Sequence, residues 1–207
     1  IELKGKYVST TTLVAILIAL WSLAIGYIIH HSASPNKNKV ETPEAPKETL
    51  AFGAMSDPHS GALNRIGLRK CFDQIAPTDL QHLSLIFINI DYFDNISSNY
   101  GLKVTDEILK GFVTNVNNTC RTSDTVVRWG TDEFLLVCPD TKLTQAVDVA
   151  DKIRNCIRET KWPNNIELTC SSGVAQMYDE DLNDLIARAN KALYSVKNTG
   201  RNRTDAA

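Results

Sequence analysis

Residues Arg121–Phe134 read RTSDTVVRWGTDEF. Val126, Val127 and Trp129 make an apolar strand, Gly130-Thr131 a tight turn, and Phe134 to Val137 a second apolar strand, so the stretch reads as a short β-hairpin. Asp132 and Glu133 stand side by side at its tip. Adjacent carboxylates repel, and a chain that places them on a turn often offers them to a hard cation. Acidic residues that merely solubilise an exposed turn are the plainer alternative.

Outward from the hairpin, helical and extended patterns alternate. Gly61–Ile75 carries apolar residues at helical spacing, Ser84–Asp91 (SLIFINID) is a strand, and Val104–Val116 is an amphipathic helix. After the hairpin come a helix over Leu143–Glu159, a strand over Ile166–Gln176 and a helix over Leu182–Lys197. This order predicts an α/β (α+β) fold with one sheet covered by helices. The globular part begins near Leu50 and runs to about Arg203, leaving 204–207 as a tail.

The N-terminal quarter differs in kind. After the flank 1–6, residues 7–29 are mostly apolar and carry no charge. Roughly 20 apolar residues cross a bilayer, which predicts a single transmembrane helix. A cleaved signal peptide would have a shorter apolar core, about 7–15 residues. Ala15, Ala19, Ser22 and Gly26 fall on one helix face, where small side chains could pair two copies in the membrane. Lys37, Lys39 and Lys47 follow the span, against Lys4 and Lys6 before it, which weakly favours a cytoplasmic C-terminal part. Residues 30–49 carry three prolines among polar residues and read as a flexible linker.

The 207 residues hold 22 basic and 24 acidic side chains, a balance that announces no nucleic-acid partner. The five cysteines are scattered without a CxxC spacing and read as reduced thiols rather than a disulfide framework or zinc site. Asn89 and Asp91 end the strand SLIFINID, where polar groups often meet ligands. Lys197 and Arg201 lie one helical turn apart near the C-terminus, placed either to hold phosphates or to complement a helix end.

Five blocks in order resemble the GGDEF domain of diguanylate cyclases. Asp57 to Arg65 (DPHSGALNR) resembles D-x-L-T-G-L-x-N-R, and Asn89 to Asp94 (NIDYFD) resembles D-I-D-x-F-K. Tyr100-Gly101, Asp106 and Leu109 follow in register, Gly130 to Phe134 (GTDEF) stands for the signature, and Ala189 to Asn202 matches the closing block. The resemblance implies a cyclase-like, mainly antiparallel sheet. It also implies a reaction in which two domains, each holding GTP, join head to head and form cyclic di-GMP. Mg2+ would then be held by the residues at Asn89, the Ile90 carbonyl and Asp132, with Glu133 beside it. Lys197 and Arg201 would hold the phosphates, and Asp106 would read guanine.

Several family positions are altered. Asn89 replaces the first metal aspartate with a neutral amide, and Asp94 replaces a phosphate-binding lysine with a like charge. Ser97 replaces the guanine-reading asparagine, and Thr131 replaces the second glycine of the signature. Asp91 or Asp94 would be the substitute ligand in a relocated metal site. Arg121 and Asp124, by contrast, match the family's R-x-x-D product-binding site at its usual spacing, with Lys152 as the basic residue on the next helix. A guanidinium fork suits guanine O6 and N7, and a carboxylate accepts guanine N–H groups. The alternative is a surface Arg–Asp pair worth about 0–1 kcal/mol.

The expectation is a degenerate GGDEF protein anchored in a bacterial inner membrane, acting as a cyclic di-GMP receptor or adaptor. Mg2+ is required only if the cyclase site works. An active cyclase converting GTP is one rival. The other is a module that binds no nucleotide and docks on a membrane partner.

Overall fold

The computed structural model describes residues 54–207. The expected membrane helix 7–29 and linker 30–49 lie outside the described residues. Among the described residues, no helix is long and apolar enough to cross a membrane.

Helix α1 (Arg65–Asp73) and the short α2 (Pro77–Leu80) lead into β1 (Ser84–Ile90). Then come α3 (Phe93–Thr119), β2 (Thr125–Arg128), β3 (Glu133–Cys138), α4 (Leu143–Glu159), β4 (Cys170–Gln176), α5 (Leu182–Asn198) and β5 (Thr204–Ala206). The strands form one sheet in the order β2-β3-β1-β4-β5, antiparallel except for the parallel β4–β5 pair.

β1 lies at the centre, and all seven of its residues are buried. That explains the unbroken apolar run of SLIFINI, because helices cover both faces. Ile86, Ile88 and Ile90 face one core with Phe134, Leu136, Phe112 of α3 and Ile153 of α4. Leu85 and Phe87 face the other with Leu135, Val137, Leu68 of α1, and Leu185, Ala189 and Leu193 of α5. Period-two alternation along the strands sorts the two sets.

Element boundaries differ from expectation for local reasons. α1 begins at Arg65, not Gly61, because Gly61 takes a left-handed turn and Asn64 caps the helix by accepting from Ile66 and Gly67 amides. The helix expected over Val104–Val116 extends from Phe93 to Thr119, broken at Gly101 by a φ of 75° that glycine tolerates. β4 starts at Cys170 rather than Ile166, since a 3-10 turn at Pro163–Asn165 delays it. Trp129 falls just beyond β2. Residues 204–207, expected as a tail, instead supply β5, whose pairing with β4 extends the sheet past Arg203. All five cysteines are free, and Cys138 and Cys170 are buried.

Candidate functional site

The site is built where β1 ends, α3 begins and α5 finishes. Asn89 occupies the last inward position of β1 on the α5 face, only 4% exposed. Across the ladder it pairs with Glu133, which puts the GTDEF turn beside it. Tyr92, in a left-handed conformation, swings the chain into α3. After α5, Gly200, Arg201 and Asn202 all have positive φ, and this tight reversal returns Arg201 to the site. The Arg201 guanidinium lies 4.8 Å over the Tyr92 ring, an arrangement that favours the cation over the aromatic face.

Asn89, Asp94, Asp132, Lys197 and Arg201 line one pocket of about 240 Å³, together with Tyr92 and its neighbours. Five of the expected site residues are thus brought together. Within the pocket, the Asn89 amide donates to the Asp132 carboxylate at 2.7 Å. The Ile90 amide donates to the Asp132 carbonyl at 3.0 Å, which ties the turn to the strand end.

The donor set fits the family's magnesium poorly. A hard dication is best held by several carboxylate oxygens, and here a neutral amide replaces one carboxylate and satisfies the other directly. Asp91 is no substitute ligand. It is 3% exposed, and its carboxylate accepts from Thr169 Oγ1 and Ser171 Oγ at 2.7 Å each and from the Asn202 amide at 3.2 Å. Asp91 therefore fastens the turn after α5 to β4. Asp94 is exposed at the pocket edge and remains the one alternative. Among the described residues, no group of three or more His, Cys, Asp or Glu side chains could hold a metal ion.

Asp106 stands apart from this pocket. Its carboxylate is 3.1 Å from His59 Nδ1, so a side chain on the DPHS loop occupies the expected guanine reader. Thr131 causes no backbone strain, because neither Gly130 nor Thr131 has a positive φ.

Arg128 escaped the sequence reading, although an arginine two residues before the signature glycine could have signalled it. Its guanidinium donates to the Gly130 carbonyl at 3.1 Å, the Thr131 carbonyl at 2.7 Å and the Asp57 carboxylate at 2.8 Å. One side chain thereby braces the signature turn against the chain's entry loop. Burial alone would raise the Asp57 carboxyl, but hydrogen bonds from Arg128 and Ser60 outweigh it and hold the carboxyl below its usual range. A depressed carboxyl contributes stability that is full above its unfolded pKa, near 4, and fades as pH falls through the lower folded value. Arg128→Ala should cost about 1–3 kcal/mol at neutral pH by stranding these acceptors. It should also flatten the acid limb of the stability curve below about pH 4, as followed by urea denaturation.

Arg121 and Asp124 close a turn between α3 and β2. The Asp124 amide donates to the Arg121 carbonyl at 3.0 Å, and the Arg121 amide donates to the Asp124 carboxylate at 2.9 Å. The Arg121 side chain is exposed and forms no ion pair with Asp124. Lys152 is exposed on α4 and forms no ion pair with Asp124 either. Burial and then the Asp124 charge push the Cys120 thiol beside this turn up to about 12, so it stays protonated at neutral pH.

The fold is thus of the mixed α/β class, a five-stranded, mostly antiparallel sheet covered by helices with a polar pocket at the end of its central strand. Residues 54–203 match the family model described as diguanylate cyclase, GGDEF domain, and the chain belongs to that family. Diguanylate cyclase DgcM of Escherichia coli K12 is 35% identical over 168 residues, covering 78% of this chain but only 40% of DgcM. The active GGEEF domain of a Vibrio cholerae diguanylate cyclase superposes with a TM-score of 0.62 at 29% identity, over 68% of this chain and 92% of that one. A microbial GGDEF domain described in an interaction with bis-(3,5)-cyclic di-GMP superposes with a TM-score of 0.66 at 25% identity, over 76% of this chain and 99% of that one.

Proposed function

We propose that the protein is a degenerate GGDEF protein that binds cyclic di-GMP through Arg121, Asp124 and Lys152 rather than making it. Its globular domain would sit on the cytoplasmic side of a bacterial inner membrane, held by residues 7–29, with paired copies or a membrane partner as neighbours. One observation carries the binding half. The Arg121 guanidinium is exposed and not spent on Asp124, while one backbone–backbone hydrogen bond and one from the Arg121 amide to the Asp124 carboxylate already fix the turn. A guanine edge would meet an unpaired fork carried on a fixed turn, so that only the side chain has to be ordered on binding. The structural neighbour described with cyclic di-GMP supports the choice of ligand. The Asn89–Asp132 hydrogen bond and the carboxylate of Asp94 support loss of synthesis.

An active cyclase is the second reading, favoured by relatives named as diguanylate cyclases and by Asp132, Lys197 and Arg201 sharing one pocket. Only in that case is Mg2+ required. Fluorescence anisotropy with labelled cyclic di-GMP tests the receptor. Arg121→Ala should weaken binding about 10–100-fold, the cost of one two-point guanine contact. Equal affinity for the wild type and Arg121→Ala would remove the assignment.

A further inference from the structure

A second groove is lined by residues other than those of the pocket around Asn89 and of the Arg121 turn. It is a mostly apolar groove of about 490 Å³ between α1 and the start of α5. Its floor includes Leu182 and Ile186, and Ile66 stands beside them with 61% of its surface exposed. α1 buries only Gly67 and Leu68, and Ile66 is the one apolar side chain on its exposed side, among Arg65, Arg69, Lys70 and Asp73. An aliphatic side chain this exposed beside an open groove gains most from being covered by another apolar surface.

The rim is positively charged. Arg65, Arg69 and Lys70 line the groove against the single carboxylate of Asp73, although the whole chain has a net charge of −2. Arg69 and Lys70 form no ion pair with any described acidic side chain. Arg65 has another task. Its guanidinium donates twice to the Trp129 carbonyl, at 3.0 and 2.8 Å, and lies 4.1 Å over the indole ring. Trp129 also lines the groove, and its amide donates to the Glu133 carbonyl at 2.8 Å. The groove wall therefore runs directly into the signature turn.

We infer that this groove docks an acidic amphipathic helix of a partner protein, with aliphatic side chains against Ile66, Leu182 and Ile186 and carboxylates on Arg69 and Lys70. An apolar floor with a cationic rim complements a helix that is apolar on one face and acidic on its flanks. A flat anionic bilayer would reach the cations without filling the groove. Docking would press on Arg65 and Trp129, so an event at α1 would be felt at Gly130–Glu133. This inference is independent of which nucleotide the domain binds.

The test is a titration of the full chain followed by tryptophan fluorescence. The probes are a synthetic helix with leucine on one face and glutamate on the other, the same helix with lysine replacing glutamate, and vesicles of an anionic phospholipid. The glutamate helix should shift the tryptophan emission of the wild type, a shift lost in Trp129→Phe, and bind at least tenfold more tightly than the lysine helix. Arg69→Glu with Lys70→Glu should weaken it at least tenfold, and Ile66→Asp should do so independently. Circular dichroism would confirm that these surface variants remain folded. The inference fails if no helix binds, if both helices bind equally, if the variants bind as the wild type does, or if only the vesicles bind.

Discussion

Replacing Gly173 by alanine is expected to destabilise the domain by about 3 kcal/mol, near the upper end of overpacking costs. Gly173 sits in the middle of β4, opposite Phe87 of β1 and Asp205 of β5. A Cβ there would run into the Ala189 carbonyl oxygen and the Leu193 amide nitrogen, and would come within 2.9 Å of the Leu193 Cα. These are backbone atoms of α5, and no rotamer change can move them aside. α5 would have to lift from the sheet, uncovering Leu185, Ala189 and Leu193 and displacing Lys197 and Arg201 from the pocket. The melting temperature followed by circular dichroism should fall by about 6–12 °C, since each kcal/mol moves a domain of this size by about 2–4 °C. Gly130→Ala is the control. Its Cβ would meet mainly the movable carboxylate end of Glu133, at 2.9 Å, and should cost less than about 1 kcal/mol. Equal small effects at both positions would contradict the close α5–β4 approach.

The second large effect is a gain. Under the proposed function, the wild type forms no cyclic di-GMP from GTP and magnesium. The triple variant Asn89→Asp, Asp94→Lys, Ser97→Asn should form it, with an increase of at least about 100-fold over background. Each change has a separate physical basis. Aspartate at 89 would supply the anionic oxygen that the amide lacks. It would also end the hydrogen bond that now satisfies Asp132. Lysine at 94 would reverse a like-charge contact with the triphosphate worth roughly 4 kcal/mol at about 4 Å and an effective dielectric near 20. By itself that is close to three powers of ten in binding. Asparagine at 97 would restore a two-point amide contact to guanine. His59 still occupies Asp106 in the triple variant, so adding His59→Leu should raise turnover further. Chromatographic detection of the product measures both steps. A wild type already as fast as the triple variant would show that Asn89 and Asp94 do not limit the chemistry.

How much was legible in the sequence depended on whether a residue's partner was near in the chain. SLIFINI announced a strand, and only the fold shows it to be central and covered on both faces, with seven consecutive buried positions. α4 was predicted with its observed ends, since its apolar residues repeat at helical spacing between polar flanks. The first part of α3 was invisible because FDNISSNY is largely polar, and Gly101 interrupts the period that follows. β5 has no signal of its own, as three residues become a strand only through pairing with β4. Within the site, the gathering of Asn89, Asp94, Asp132, Lys197 and Arg201 followed from the resemblance to the family. The contacts that decide their chemistry did not. His59 meets Asp106 across 47 positions and Arg128 meets Asp57 across 71, and neither pair leaves a periodic trace. Asp91 read as a spare metal ligand in the sequence. Only the fold shows its carboxylate filled by three donors.

The proposed role is to bind the product without making it. The most direct measurement takes one preparation of the wild-type chain, titrates it calorimetrically with cyclic di-GMP, and assays the same preparation for product after incubation with GTP and magnesium. Saturable cyclic di-GMP binding that Arg121→Ala reduces at least tenfold, with no product formed, is the predicted result. Product formation that disappears in Asp132→Ala, or cyclic di-GMP binding indifferent to Arg121, would contradict it.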